Sequence, residues 1–266
     1  MKKAAALLCA LLLCLLAACG GDSGEALDPS SQSLPSLVVS SSPEVQPSPA
    51  SGEGVLESAK LIQLEEEEAA AVMENGTLAT FALPETISFA PGLGDQLKPG
   101  MTVEVAYDGK MARSYPGQIN AESLRATAYD DGLTALYFSV LEDLYGEPDA
   151  GLNGECLYFG FDLTKAEGLS AGEREAVGWA FATAHDCAPL YGTIEELGAQ
   201  GYIDMESLAW KDGLHFEIKA EDVSEDRFTL NCTKWRSGLG ASGYKLAVEK
   251  KDGVWTAAEP SEFWVA

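Results

Sequence analysis

Met101-Thr102-Val103-Glu104-Val105-Ala106-Tyr107-Asp108-Gly109 is the stretch on which the reading of the fold turns. Met101, Val103, Val105 and Tyr107 alternate with Thr102, Glu104 and Ala106. Successive side chains of a strand point to opposite faces, so this period of two predicts a half-buried strand. Asp108-Gly109 then reads as a hairpin turn, because glycine takes positive φ without steric cost. Asn75-Gly76, between Ala70-Ala71-Val72-Met73 and Leu78-Ala79-Thr80-Phe81, is a second hairpin signal. Gln118 to Ala126 supplies a closing strand, and Pro84, Pro91 and Pro99 punctuate the middle. Residues 65–71 favour helix by propensity, but a hairpin at Asn75-Gly76 needs a strand on each side. They are therefore read as a turn running into a strand. Short strands joined by turns predict a small β-domain over residues 56–127.

Residues 128–266 carry a different pattern. Leu133, Leu136, Tyr137, Val140, Leu141 and Leu144 fall at helical spacing, and Gly146 and Pro148 stop the run. Leu157, Phe159, Phe161 and Leu163 predict a strand with one apolar face. Ser170-Ala171-Gly172-Glu173 and Thr193-Ile194-Glu195-Glu196 are capping boxes, in which the hydroxyl and the carboxylate satisfy free backbone N–H groups at a helix start. Val177, Ala180, Phe181 and Ala184 form the apolar side of the first helix so opened. Leu214, Phe216, Ile218 and Ala220 mark a later strand facing inward. Arg227 to Trp235, Tyr244 to Lys250, and a last stretch from Trp255 to Phe263-Trp264-Val265 follow. Helices first and an antiparallel sheet after them predict an α+β domain, with no repeated βαβ pattern.

The chain start is of another kind. Lys2 and Lys3 precede an apolar run from Ala4 to Ala18, the layout of a secretory signal over residues 1–18. The run is shorter than the ~20 residues of a spanning helix. Residues 19–55 are rich in Ser, Pro and Gly and lack apolar period, which predicts a disordered linker. Leu16-Ala17-Ala18-Cys19-Gly20 resembles the lipobox of bacterial lipoproteins. That resemblance implies a diacylglycerol on Cys19, and two acyl chains hold a protein to a membrane where one chain binds marginally. It also implies an extracytoplasmic location, with the membrane itself the first partner.

Two longer resemblances follow. Leu97 to Gly109 with Ser114-Tyr115-Pro116-Gly117-Gln118-Ile119 is similar to a small barrel-like domain of unknown function found in Firmicutes lipoproteins, which implies an OB-like barrel. Thr193-Ile194-Glu195-Glu196-Leu197, Gln200-Gly201-Tyr202-Ile203-Asp204 and Lys234 to Ala241 resemble a domain of uncharacterised clostridial lipoproteins. Neither implies a mechanism, since a fold hosts many functions.

Charge narrows the partners. The chain has 17 basic and 42 acidic residues, and loss of Lys2 and Lys3 with the leader would leave it more acidic still. Binding to nucleic acid draws on Lys and Arg to displace counterions, so no nucleic-acid partner is expected.

Candidate chemistry is sparse. Gly238-Leu239-Gly240-Ala241-Ser242-Gly243 matches a dinucleotide fingerprint, but Tyr244-Lys245-Leu246-Ala247-Val248 continues as a strand. The helix whose N-terminus would hold pyrophosphate is missing, so a turn is the better reading and no cofactor is expected. His185-Asp186-Cys187 has the right residue types for nucleophilic catalysis, yet catalytic groups usually meet across a fold. His215 reads as lying on the polar face of its strand with Glu217 and Lys219. Glu65 to Glu68 alternate in direction and cannot converge on a metal, and two histidines without paired thiolates do not suggest zinc. Cys156, Cys187 and Cys232 leave one bridge plus one thiol, or three thiols, open; Cys232 shares a face with Phe228 and Leu230. Trp235 and Arg236 suit a binding hot spot, and equally a core tryptophan capped by a surface arginine. The sequence thus favours a non-enzymatic lipoprotein that binds an envelope protein or cell-wall partner. An envelope hydrolase and a small-solute binder are the alternatives.

Overall fold

A computed structural model of the protein describes residues 54–266. The signal segment, Cys19 and nearly all of the linker lie outside the described residues. The fold is α+β, mostly β, in one closed sheet and one open sheet.

The closed sheet is built from β1 (Val55–Leu64), β2 (Glu68–Met73), β3 (Leu78–Ala82), β5 (Thr102–Met111) and β6 (Gly117–Ala128). β1 pairs with β2 and β5, β2 with β3, and β5 with β6; β3 then meets β6 in parallel and shuts the barrel. β4 (Ile87–Phe89) adds to β6 outside the ring. Met101, Val103, Val105 and Tyr107 point inward, as the period of two predicts. Ala59, Ala69, Ala71, Ala79 and Ala126 share that interior. Small side chains on facing strands leave room for Phe81 and Met101 at the density a core needs. The hairpin at Asn75-Gly76 forms as expected: Gly76 has φ 84° and the Asn75 side chain accepts from Thr77 N–H.

Asp108-Gly109 corrects the sequence reading. β5 runs through it, and the reversal comes at residues 112–116. Tyr107 pairs with Ala121 and Met111 with Ile119, so Asp108, Gly109 and Lys110 bulge opposite Asn120. Gly109 takes φ 74° there, and Asp108 accepts from the Lys110 N–H. A turn and a bulge both need a residue at positive φ, and the dipeptide alone does not distinguish them.

The second half begins with α1 (Leu133–Gly146), β7 (Tyr158–Asp162), α2 (Ala171–Ala184), β8 (Ala188–Tyr191) and α3 (Ile194–Ala199). β9 (Gly213–Glu221), β10 (Arg227–Ser237), β11 (Gly240–Lys251), β12 (Val254–Ala257) and β13 (Ser261–Val265) complete it. Both capping boxes are present, with Ser170 accepting from Glu173 N–H and Thr193 from Glu196 N–H. The sheet order is β12-β11-β10-β9-β7-β8, and β13 also pairs with β11.

The sheet is not purely antiparallel, a second correction. β7 runs parallel to both β8 and β9, so β7, α2 and β8 form a single βαβ crossover. β8 is Ala188-Pro189-Leu190-Tyr191, too short to show a period, and its proline fits the sheet edge it occupies. Leu157 is a third correction: it lies before β7 and is 62% exposed. Ala184, expected on the apolar side of α2, is exposed at its last turn.

α1 and α2 cover one face of this sheet. Phe159, Phe161, Phe181 and Phe216 meet there with ring centroids 5.2 to 6.1 Å apart. Phe228, Leu230 and Cys232 complete that core from β10. A separate cluster joins the two halves: Ile62, Ala70, Val72 and Leu78 on the barrel's outer wall pack against Ala176 and Ala180 of α2. Gly172 lets α2 approach closely, since a Cβ there would come within 2.3 Å of the Gly76 carbonyl oxygen. Lys60 of β1 adds an ion pair to Glu173 at 2.7 Å.

Candidate functional site

The other face of the open sheet carries the candidate site. Cross-strand partners share a face, so register sets out its rows. Trp235, His215 and Gly160 are one row across β10, β9 and β7; Thr233, Glu217 and Asp162 are the next. α3, through Leu197, and the segment after it, through Ile203 and Trp210, lie over part of this face, with Trp235 packed against that cluster. The uncovered remainder is a groove of 420 Å³.

Gly160 shapes the floor. A Cβ there would meet Leu197, Trp210 and His215 at 2.7 to 3.0 Å. His215 lies on the face of Glu217 and Lys219, as its strand position predicts, but under this cover it is only 2% exposed. Its Nε2–H donates to the Gly192 carbonyl at 2.9 Å. Burial pushes its pKa below the usual histidine value, against the hydrogen bond to Gly192 and the nearby carboxylates. The neutral ring therefore keeps Nδ1 as an acceptor. Asp162 is buried too. Burial alone would raise its pKa, but the Thr164 hydroxyl and N–H both donate to it and hold it below the carboxylate norm. Glu217 pairs with Lys219 at 2.6 Å. Glu195 and Lys165 stand at the rim. The groove thus presents an indole, three carboxylates, two ammonium groups and several hydroxyls, an arrangement that suits a polar ligand with an apolar face.

Trp235 and Arg236 are not brought together. They are neighbours on one strand and point to opposite faces. Trp235 borders the groove, whereas Arg236 donates to the carbonyls of Leu152 (2.8 Å), Glu155 (3.2 Å) and Lys211 (2.6 Å). The guanidinium fork is occupied in fastening the segment before β7 to the one before β9.

His185 caps α2, lies 3.2 Å from Glu142 and packs against the Tyr145 ring at a tilt of 49°. Cys187 packs against the helix-side core, on the face of the sheet away from His215. Its Sγ donates to the Cys156 carbonyl at 3.5 Å. Burial raises its pKa to about 11, so it is a thiol at neutral pH and a weak nucleophile. Cys156, Cys187 and Cys232 are all unbridged. Gly240 to Gly243 belong to β11, leaving Gly238 and Leu239 as the turn. Gly243 lies under Trp264 and against the Cys232 carbonyl, so no phosphate cradle forms there. Glu65 to Glu68 are all exposed, and among the described residues no cluster of three His, Cys, Asp or Glu is arranged to hold a metal.

Lys234 escaped the sequence reading. It is fully buried, and its ammonium donates to Tyr145 O (2.7 Å), Asp149 O (2.8 Å) and Asn153 Oδ1 (3.0 Å). Burial brings its pKa down to about 8, opposed by Asp149 and Glu147. The signal was its place in the inward series after Phe228, Leu230 and Cys232. The groove had a signal as well: His215-x-Glu217-x-Lys219 beside Thr233-x-Trp235, polar groups repeating at the strand period. Comparison with protein-family models, with curated proteins and with solved structures finds no match for the chain.

Proposed function

We propose that the protein is a lipid-anchored, extracytoplasmic lipoprotein that serves as a non-enzymatic binding module, related to the clostridial lipoproteins its sequence resembles. Cys19 carries the lipid, the linker spaces the domains from the membrane, and the groove beside Trp235 receives a cell-wall fragment. The observation that supports this reading is the row of Trp235 and His215 beside that of Thr233, Glu217 and Asp162. An indole face covers the apolar side of a sugar ring, while the rim carboxylates of Glu195 and Glu217 take its hydroxyl protons. The closed sheet is compatible with an OB-like barrel, β1-β2-β3-β6-β5 being the ring order, and its part is to hold α2 and so the groove's sheet in place.

The test is titration of soluble cell-wall fragments into the full chain, read by tryptophan fluorescence, with Trp235→Ala beside it. Saturable binding that Trp235→Ala weakens at least about tenfold supports the groove. Equal binding by both proteins, or none, removes it. Cleavage of the fragments would put the envelope-hydrolase reading first. Labelling of the protein with radioactive palmitate, abolished by Cys19→Ser, tests the anchor separately.

A further inference from the structure

We propose a second ligand site in the cleft between the two halves, fitted to an uncharged alcohol with a hydrocarbon body. The cleft lies between β1 and the helices α1 and α2 and encloses 350 Å³. Ile62, Leu64, Phe138, Val177 and Ala180 make most of its wall. Clefts between packed units, mostly apolar with a few convergent polar groups, are where small ligands bind. A dry apolar cavity of about 150 Å³ is already large enough for a benzene-sized guest. This one has room for a longer alkyl chain.

Two polar atoms point to the occupant's chemistry. Thr134 is 3% exposed and lines the cleft, and its Oγ1 has no hydrogen-bond partner. Gln63 lines it as well, and its Oε1 is buried and without a partner. The Gln63 amide is oriented by its other end, where Nε2 donates to Glu65 Oε1 at 2.9 Å. Its Oε1 can only accept, while Thr134 can donate or accept. A ligand hydroxyl seated between them would satisfy both, donating to Gln63 Oε1 and accepting from Thr134 Oγ1–H. An ether oxygen cannot donate and leaves Gln63 orphaned. A carboxylate brings a negative charge beside Glu65, which also lines the cleft, on a chain of net charge −25. Both features select the neutral alcohol.

The probes are 1-octanol, its isomer 1-methoxyheptane, and octanoate. They are titrated into the full chain bearing Cys19→Ser, so that no attached lipid competes, with methyl groups of Val177 and Ala180 followed by NMR. Octanol is expected to shift both methyls saturably, with the ether and octanoate at least about tenfold weaker, the scale of one unmet hydrogen bond. Gln63→Leu is expected to bring octanol and the ether within about threefold of each other, whereas Thr134→Val weakens both and leaves their ratio unchanged. Ala135→Phe, an exposed change at the mouth, blocks all three. Barrel methyls such as those of Val103 and Val105 report that each variant is folded. Equal binding of octanol and the ether to the parent chain overturns the proposal. So does absence of shifts at Val177 and Ala180, or shifts that persist in Ala135→Phe.

Discussion

In the barrel, β3 returns to β6 and every strand of the ring has a neighbour on each side; the second sheet stays open, ending at β8 on one edge and at β12 and β13 on the other. The barrel covers its inner face by curling around it, and alanines set among larger side chains such as Phe81, Met101 and Tyr107 fill its narrow interior. The open sheet needs two helices and a set of aromatic rings to cover one face, and only the short α3 lies on the other. Closure leaves no inner face uncovered, whereas the open sheet leaves a groove. The same β-pairing therefore yields a support in one half and a candidate binding face in the other.

That contrast breaks first at the cores. Phe216→Ala should cost about 3–5 kcal/mol, as for a large aromatic lost from a packed site. Because α2 belongs to the interface with the barrel as well, denaturant unfolding followed in both halves should show one shared transition. Two separate transitions would mean that the barrel needs nothing from the open sheet. Next come the lysines. Lys234→Met leaves two carbonyls and an amide oxygen without their donor and should cost roughly 2–3 kcal/mol in the same measurement. Lys60→Met removes partly solvated ion pairs to Glu173 and Asp130 beside the barrel and should cost less than Lys234→Met, roughly 1 kcal/mol. Comparable losses would dissolve the distinction between the half that buries charge and the half that keeps it wet.

Gly160→Ala sharpens the comparison on the groove side. It forces Leu197 and Trp210 away from the sheet and should cost about 1–3 kcal/mol. Loosening should be confined to α3, with faster hydrogen exchange at Leu197 and unchanged exchange in β5. The smallest effect is that of acid. The folded pKa of His215 lies below the ordinary value of about 6.5. As pH falls through that value the unfolded chain takes up the proton first, so stability is lost on the acid side. His215→Gln should flatten this part of the profile between pH 7.5 and 5.5. The described barrel contains no histidine, and its local exchange should not follow the same titration.

How far these differences could be read in advance depends on how local their causes are. The alternation from Met101 to Tyr107 and the boxes at Ser170 and Thr193 involve neighbours in sequence, and the structure reproduces them. Asp108-Gly109 was ambiguous because its reversal is set by the pairing of Met111 with Ile119, a partner beyond the turn. His215 has the right face in the sequence but not its cover, which comes from Leu197 and Trp210 across an empty Cβ position at Gly160. Lys234 is inward by period, yet its acceptors lie on the end of α1 and the segment beyond it. Trp235 and Arg236 look like one patch when written as letters, and the strand separates them.

The buried ammonium of Lys234 also makes the molecule its own clock. An amine-reactive reagent can reach Nζ only when β10, the end of α1 and the segment at Asp149 part from one another. Lys110 and Lys251, which are largely exposed, label at once and calibrate the reagent. Labelling of Lys234 then counts openings of that layer one by one, and each count is permanent, because the modified side chain can no longer make the three bonds that closed it.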